Sequence, residues 1–256
     1  MKEKLYTIPL NDAVDANDEC PLCFAERKID HDLLDFTLGH AASYMESDIR
    51  EMTDLEGFCR MHFKELYDYG NALGNGWILS THIRRMKKQL DEEIAKHEPG
   101  KTPMFSRFRR QEAQAERSDS VAAWAAEKER SCYICRQKEE TLDRYVDTFF
   151  HLWEKDDAFR EKIRKGKGFC LTHFGMLCEA AETKLPDRKK KEFYDVVFER
   201  MQTNLDRITE DVDWLVKKFD HVYADADWKN SRDAIQRGMQ KMKGGYPADE
   251  PHKMKK

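Results

Sequence analysis

The 256-residue chain has no long apolar run, and this absence limits the class of protein it can be. A membrane-spanning helix needs about 18 or more nearly uninterrupted apolar residues, and no stretch of the sequence approaches that length. The amino terminus also lacks the apolar core and the small-residue cleavage site of a secretory signal. We therefore expect a cytoplasmic protein that does not associate with membranes.

Charge of one sign is not in large excess, and the common enzyme signatures are missing. The formal net charge is −4, with 37% charged and 40% hydrophobic residues, which is typical of a helix-rich soluble protein and argues against one that coats nucleic acid. The sequence contains no glycine-rich phosphate loop, hydrolase nucleophile elbow or metalloprotease helix signature. Whether the protein is an enzyme stays open, and the sequence leans against it.

Six of the seven cysteines belong to a motif that occurs twice. Each copy consists of a Cys-x-x-Cys pair followed by Gly-Phe-Cys-x-x-His. The copies read Cys20-Pro-Leu-Cys23 with Gly57-Phe-Cys59-Arg-Met-His62, and Cys132-Tyr-Ile-Cys135 with Gly168-Phe-Cys170-Leu-Thr-His173. In a reducing compartment such residues indicate metal binding or redox chemistry rather than disulfides. The seventh cysteine, Cys178, is expected to be a small apolar helix residue.

The spacing of the two copies indicates an internal duplication. Cys20 and Cys132 are 112 positions apart, and Cys59 and Cys170 are 111 positions apart. Within the copies, 35 and 34 residues separate the two ligand pairs. A period of about 111 residues predicts two homologous modules, each of which closes its own metal site after a helical excursion.

Three thiolates and one imidazole are a suitable ligand set for tetrahedral zinc, so we predict two zinc ions per chain. The expected sites are Cys20, Cys23, Cys59 and His62 in the first module, and Cys132, Cys135, Cys170 and His173 in the second. Metal binding would then contribute directly to folding. An iron–sulfur cluster with the same ligands stays open as an alternative. A pair of redox-active dithiols is less favoured, because it leaves the third cysteine and the histidine of each copy unexplained.

Two further histidines occupy matching positions in the copies. His40 and His151 each lie 19 residues before the third cysteine of their module. They are possible hydrogen-bonding partners of the metal ligands. The alternative is that both are ordinary structural histidines inherited by the two copies.

The apolar periodicity predicts an all-α fold. One helix is expected over residues 79–94, and a longer one begins near Pro186, with a heptad pattern that runs from Phe198 to Phe219. We expect these two helices to pack together. The predicted organisation is a first module over 15–98, a linker over 99–118, a second module over 119–222, and a carboxyl-terminal region over 223–256 with a docked turn, a short helix and a mobile tail.

The linker carries a basic cluster of Lys101, Arg107, Arg109 and Arg110. It is interpreted as a solvated connector, with an anionic contact as the alternative.

Three parts of the sequence carry a resemblance to a known family. They are Cys20-Pro-Leu-Cys23, the two Gly-Phe-Cys-x-x-His turns, and the run Asp225-Ala-Asp-Trp-Lys-Asn-Ser-Arg-Asp-Ala-Ile-Gln-Arg. Over residues from about 15 to 245 the chain resembles an uncharacterised bacterial family, a domain of unknown function with duplicated cysteine motifs. The resemblance implies an intracellular protein with paired cysteine motifs and implies no activity.

The preferred hypothesis is a zinc-binding helical scaffold that interacts with another protein. One alternative is a redox or metal-handling protein with iron–sulfur clusters. The other is a nucleic-acid-binding regulator, which would need the cations of the linker and the carboxyl-terminal region to gather on one face.

Overall fold

The computed structural model describes residues 5–97 and 121–255, and all regular structure in these ranges is helical. The prediction of an all-α fold is therefore confirmed. Within these ranges two short 3₁₀ segments accompany the helices, and no helix there is long and apolar enough to cross a membrane. The helices are α1 (Thr7–Asp15), α2 (Pro21–Leu38), α3 (Ser47–Glu56), α4 (Arg60–Tyr69), α5 (Ala72–Lys96), α6 (Val121–Arg130), α7 (Tyr133–Lys155), α8 (Asp157–Lys165), α9 (Leu171–Lys184), α10 (Asp187–Lys217) and α11 (Ala234–Lys243). The predicted linker over 99–118, with its basic cluster, lies outside the described residues.

The chain forms two compact units, and both are discontinuous in sequence. The first unit combines residues up to Asp30 with Lys138–Glu250, and the second combines His31–Gln137 with residues from Pro251 onward. The chain passes between the units inside α2, inside α7 and after Glu250. Each unit thus draws on both predicted modules, whose boundaries stay a prediction. The internal duplication itself stays a prediction.

An aromatic cluster forms the core of the first unit. Phe149 of α7 makes edge-on contacts with Phe159 of α8 at 5.4 Å and with Phe169 at 5.9 Å between ring centroids. Trp153 packs edge-on against Phe193 of α10 at 5.2 Å. Edge-to-face packing of this kind adds to the stabilisation that burial of the rings provides. The cluster joins α7, α8 and α10 and fixes the turn that leads into α9.

The core of the second unit lies where α2 ends and α7 begins. Leu34 and Leu38 of α2 pack in one cluster with Phe58, Leu66 of α4 and Tyr133 of α7. Helix α5 covers this unit by packing mainly on α3, with further contacts to α4 and α6. The turn before α4 and the start of α7 are therefore anchored in the same core.

Each of the two long helices has its main partners within its own unit, and their predicted packing on each other stays a prediction. In the described residues the main partners of α10 are α11, α9 and α8, whereas those of α5 are α3, α6 and α4. The heptad positions Met201, Ile208 and Leu215 are buried as expected. Phe198 and Phe219, at the ends of the pattern, are 46% and 82% exposed. Shorter helices of the first unit cover the middle of the heptad pattern on α10. Burial of these positions therefore does not require a second long helix.

Residues near the end of the chain make defined contacts, and the expected mobility of the tail stays a prediction. Within the second unit, the Met254 N–H donates to the Tyr69 carbonyl at 2.9 Å. The His252 Nε2 atom lies 2.9 Å from Asp35 Oδ1 and its ring stacks on His31. These bonds hold residues 252–254 against α2 and α4.

Candidate metal centres

The structure gathers all eight predicted ligands into two groups, but the grouping differs from the prediction. In each group, the four donor atoms lie within 4.8 Å of one another. The first metal site consists of Cys20, Cys23, Cys170 and His173, and the second metal site of Cys59, His62, Cys132 and Cys135. Each Cys-x-x-Cys pair therefore meets the Cys-x-x-His pair of the other module, and the predicted closure of each module on itself is wrong.

The helices that follow the Cys-x-x-Cys pairs explain this exchange. Helix α2 runs from Pro21 to Leu38, so it carries the chain about 22 Å along its axis after Cys23. It also leaves the first unit and enters the second, where Cys59 and His62 lie. Helix α7 makes the opposite passage after Cys135. Each chain segment thus reaches its next ligand pair in the other unit.

All four ligand pairs lie at the beginning of a helix. Cys59 and Cys170 are the N-cap residues of α4 and α9, and Cys20 and Cys132 directly precede α2 and α7. The second ligand of each pair is in the first helical turn, three residues later, so both donors point towards one position. The positive end of a helix dipole stabilises a nearby thiolate. Each site receives two such helix ends, which offset the net negative charge of a divalent ion with three thiolates.

Backbone N–H groups at these helix ends also donate to ligand sulfurs. The N–H of Cys23 lies 3.4 Å from Cys20 Sγ, and the N–H of Cys135 lies 3.4 Å from Cys132 Sγ. In the Cys-x-x-His pair of the first metal site, the His173 N–H contacts Cys170 Sγ at the same distance. Hydrogen bonds to the charged form favour the thiolate.

A glycine–phenylalanine turn places each Cys-x-x-His pair. Gly57 and Gly168 have φ angles of 62° and 75°, in the left-handed region that favours glycine. The following Phe58 and Phe169 are buried in the cores of their units. The Gly57 carbonyl accepts a hydrogen bond of 2.9 Å from the N–H of Tyr133. This bond ties the turn before Cys59 to the start of α7, and so holds together the two ligand pairs of the second metal site.

The first metal site is fully buried. The His173 Nδ1 atom lies 3.4 Å from Cys20 Sγ, 3.4 Å from Cys23 Sγ and 3.3 Å from Cys170 Sγ. Gly244, which follows α11, also borders the site, because a Cβ atom there would lie 3.5 Å from both Cys23 Sγ and Cys170 Sγ. Solvent access to the donors is therefore closed on that side.

The second metal site has the same donors but is more open. The His62 Nδ1 atom lies 3.3 Å from Cys59 Sγ, 3.2 Å from Cys132 Sγ and 3.3 Å from Cys135 Sγ. The Sγ atoms of Cys59 and Cys135 are 3.8 Å apart. His62 and Cys132 are buried, whereas Cys59 and Cys135 are partly exposed.

These distances suit one ion with four protein ligands. Tetrahedral zinc with bonds of about 2.3 Å to sulfur and about 2.0 Å to nitrogen separates neighbouring sulfurs by about 3.8 Å and a sulfur from a nitrogen by about 3.5 Å. The Cys59–Cys135 separation of 3.8 Å matches the first value. The sulfur–nitrogen distances of 3.2–3.4 Å are slightly shorter than the second. Each group can therefore hold a metal ion.

The pKa values of the ligands reflect how closely they are packed. Burial alone would lower the pKa of His173, but the sulfurs of Cys170 and Cys20 outweigh it and raise that pKa to about 10. In the second metal site, burial raises the pKa of Cys132, yet hydrogen bonds from His62 and from backbone N–H groups bring it down to about 6. Burial and the neighbouring thiolates raise the pKa of Cys135. A bound cation would replace the protons that these groups otherwise share.

A carboxylate lies behind each ligand histidine, and sequence analysis missed both. Glu65 Oε2 is 3.7 Å from His62 Nε2, and Glu26 Oε2 is 3.7 Å from His173 Nε2, which are ion-pair distances. Glu26 is also 3.4 Å from Lys138 Nζ. A carboxylate at this position orients the imidazole and increases its basicity. Glu65 could have been found from its His-x-x-Glu spacing, but Glu26 reaches the histidine of the other predicted module and had no such signal.

The two matched histidines that we considered as partners of the ligands lie elsewhere. His40 is exposed, and its Nε2 atom is 3.0 Å from the Lys255 carbonyl oxygen. His151 lines a small cavity with Asp147, Glu154 and Lys184. Among the described contacts, neither histidine reaches a metal ligand.

The seventh cysteine, Cys178, belongs to neither site and lies in α9. It is partly exposed, and burial raises the pKa of its thiol. This position is the one that we expected for a small helix residue.

Comparison with known proteins gives one match. The family described as "Family of unknown function (DUF6062)" matches residues 1–249. Searches of curated proteins and of solved structures found no match. The matched range includes all eight candidate ligands.

Proposed function

Since the chain belongs to DUF6062, a family of unknown function, its role has to be inferred from its own residues, and we propose a zinc-stabilised helical scaffold of the cytoplasm. The observation that carries this proposal is the presence of two complete Cys3His groups, each with its four donor atoms within 4.8 Å. In structural zinc sites all four positions are filled by protein donors, whereas catalytic sites keep one position open for water or substrate. A reducing cytoplasm keeps such thiolates available for metal.

The closeness of the donor atoms supports zinc over an iron–sulfur cluster. In a four-iron cluster each protein ligand binds a different iron on the outside of the cluster. Such ligands are further apart than ligands that share a single ion. The Cys59–Cys135 sulfur distance of 3.8 Å is close to the value for one tetrahedral zinc ion.

The position of the sites in the chain supports a structural role. The first metal site joins Cys20 near the start of the first unit to His173, 153 residues later. The second metal site joins the turn before α4 to the start of α7. Because each ion would hold distant segments of one unit together, its binding energy would contribute to folding.

An apolar groove in the first unit supports a protein partner. Ile235, Met239 and Met242 of α11 are 51%, 55% and 46% exposed. With Val212 and Tyr246 they line a groove of about 610 Å³. Exposed apolar patches of this kind are common at protein–protein interfaces, and methionine suits surfaces that adapt to a partner.

Metal analysis and an absorption spectrum of anaerobically purified protein test the zinc proposal. We expect two zinc ions per chain and no absorption bands in the visible region. Brown protein that contains iron and acid-labile sulfide would contradict it. So would protein that keeps its full thermal stability after the metal has been removed.

The exposure of Cys59 and Cys135 favours metal exchange at the second metal site as a second candidate function. A molecule that accepts the metal ion can reach a partly exposed thiolate ligand, whereas the four buried donors of the first metal site are shielded. With a colorimetric zinc chelator we expect one ion to leave quickly and the other slowly. The Cys59→Ser variant should lack the fast phase and Cys23→Ser the slow phase. Equal release rates for the two ions would contradict this candidate.

A further inference from the structure

A strongly basic cavity of about 660 Å³ lies in the first unit, apart from the metal ligands. Four of its cations come from the end of α8, the turn after it and α10: Lys165, Lys167, Arg200 and Arg207. Three come from the turn before α11 and from α11 itself: Lys229, Arg232 and Arg237. Among the described residues, the carboxylates that line it are those of Glu19 and Asp233. The whole chain has a formal charge of −4, so this concentration of positive charge is local.

The cations at the base of the basic cavity are held in place. The carboxylate of Glu19 is 3% exposed and lies 2.5 Å from Arg207 Nη2. The Arg207 Nε–H also donates to Asn204 Oδ1 at 3.0 Å. Arg237 Nη1 pairs with Asp211 at 2.8 Å. Cations fixed in this way lose little conformational freedom when a ligand binds.

The cations at the rim have aromatic partners instead of carboxylates. In the described part of the chain, Lys229 Nζ lies 3.9 Å from the ring centroid of Trp214, and Arg232 lies over Trp228 at 5.4 Å. An indole face positions a cation but does not neutralise its charge. Lys229 has a φ angle of 51°, uncommon for a residue with a side chain, and its N–H donates to Asp227 Oδ1. The turn therefore has a defined shape that presents Lys229 and Arg232 to the cavity.

We propose that the basic cavity binds a small molecule with two or more phosphate groups, of the class of the nucleoside polyphosphates. Its volume lies within the usual range of small-ligand sites. Guanidinium and ammonium groups are the side chains that bind phosphate oxygens, and a concave site concentrates their potential. The cations surround a cavity and do not follow a line, which favours a compact anion over the backbone of a nucleic acid. This inference goes beyond the zinc scaffold and does not rest on it.

Calorimetric titration of the full-length protein with tripolyphosphate and with ATP tests the proposal, with sulfate as the control anion. We expect saturable binding of both phosphate probes, weakened by added salt. The double variant Lys229→Gln/Arg232→Gln should lose affinity by about tenfold or more, because each lost ionic hydrogen bond weakens phosphate binding. Lys87→Gln/Lys88→Gln, which removes two exposed cations of α5 in the second unit, should bind like the parent protein.

Circular dichroism and metal content should be unchanged in these variants, since both rim cations are exposed. If the rim double variant does not fold, Arg200→Gln provides an independent test, because Arg200 pairs only with the exposed Glu199 among the described residues. Absence of binding by both phosphate probes would overturn the proposal. So would equal affinities of the cavity and control variants, or binding of a single-stranded oligonucleotide much more tightly than either probe.

Discussion

The Nδ1 atom of His173 lies 3.4 Å from the Sγ atom of Cys20, which comes 153 residues earlier in the chain. This contact joins the start of α9 to the start of α2 and so connects the two chain segments of the first unit. In the second unit, His62 Nδ1 and Cys132 Sγ are 3.2 Å apart across 70 residues. Closing such long loops removes more entropy from the unfolded chain than closing short ones. A metal ion that joins ligand pairs from different modules would therefore stabilise each unit more than one held within a single predicted module.

Glu26 is predicted to strengthen metal binding at the first metal site. Its carboxylate lies 3.7 Å from the Nε2 atom of His173, which is an ion-pair distance. Glu26→Gln should weaken binding of one of the two ions by about 10–100-fold, the usual effect of losing such a partner. Competition with a chelator of known affinity measures this change. Glu139→Gln, an exposed position on α7, is the matched control. Equal effects of the two substitutions would show that Glu26 has no special role.

Metal affinity is predicted to fall as the pH is lowered. The pKa of His173 is raised to about 10 and that of Cys135 is also raised, so both groups hold protons at neutral pH in the absence of metal. The cation has to displace these protons, and a higher proton concentration opposes its binding. Between about pH 8 and about pH 6 we expect the apparent affinity to drop by about tenfold or more per pH unit. Calorimetry in buffers of different ionisation enthalpy should detect proton release, and an affinity independent of pH would contradict this account.

Gly57 is predicted to be essential for the turn that places Cys59. Its φ angle is 62°, and a Cβ atom there would lie 2.6 Å from the ring of His82. Gly57→Ala should therefore lower the free energy of unfolding by about 1–3 kcal/mol. Gly76→Ala is the control, because a Cβ atom at that position in α5 would contact nothing within 4 Å. It should raise the free energy of unfolding by about 0.5–1 kcal/mol. Urea unfolding measures both, and similar stabilities of the two variants would argue against this role of Gly57.

The ligands could be predicted from the sequence, but their pairing could not. A Cys-x-x-Cys and a Cys-x-x-His pair each place two donors at a helix start, so local spacing identifies all eight residues. Either grouping of the four pairs gives three sulfurs and one nitrogen. The choice depends on where α2 and α7 lead the chain, which is a property of the tertiary fold. The carboxylate of Glu26 was missed for the same reason, since its partner His173 lies in the other half of the sequence.

The helical fold was predictable because the apolar period is local, whereas the partner of each helix was not. The pattern on α10 correctly placed Met201 and Ile208 in the core, but a heptad seam does not specify which helix covers it. Similarly, closely spaced glycines such as Gly74 and Gly76 are typical of a loop, yet both lie inside α5, where the packing of Ile78 and the cap at Asn71 outweigh their low helix propensity. The basic cavity was hidden because Lys167 and Lys229 are 62 positions apart and meet only in the folded first unit.

In the crossed arrangement, each Cys-x-x-Cys pair shares a metal site with the Cys-x-x-His pair of the other predicted module. Its most direct test is the metal content of two double variants, each of which removes two cysteine ligands. Cys23→Ser/Cys170→Ser damages only the first metal site, whereas Cys23→Ser/Cys59→Ser damages both sites. Cys178→Ser, which removes a cysteine outside both sites, should keep the full metal content. The crossed arrangement predicts one zinc ion per chain in the first double variant and none in the second. The reverse result, none in the first and one in the second, would contradict it and restore a separate metal site in each predicted module.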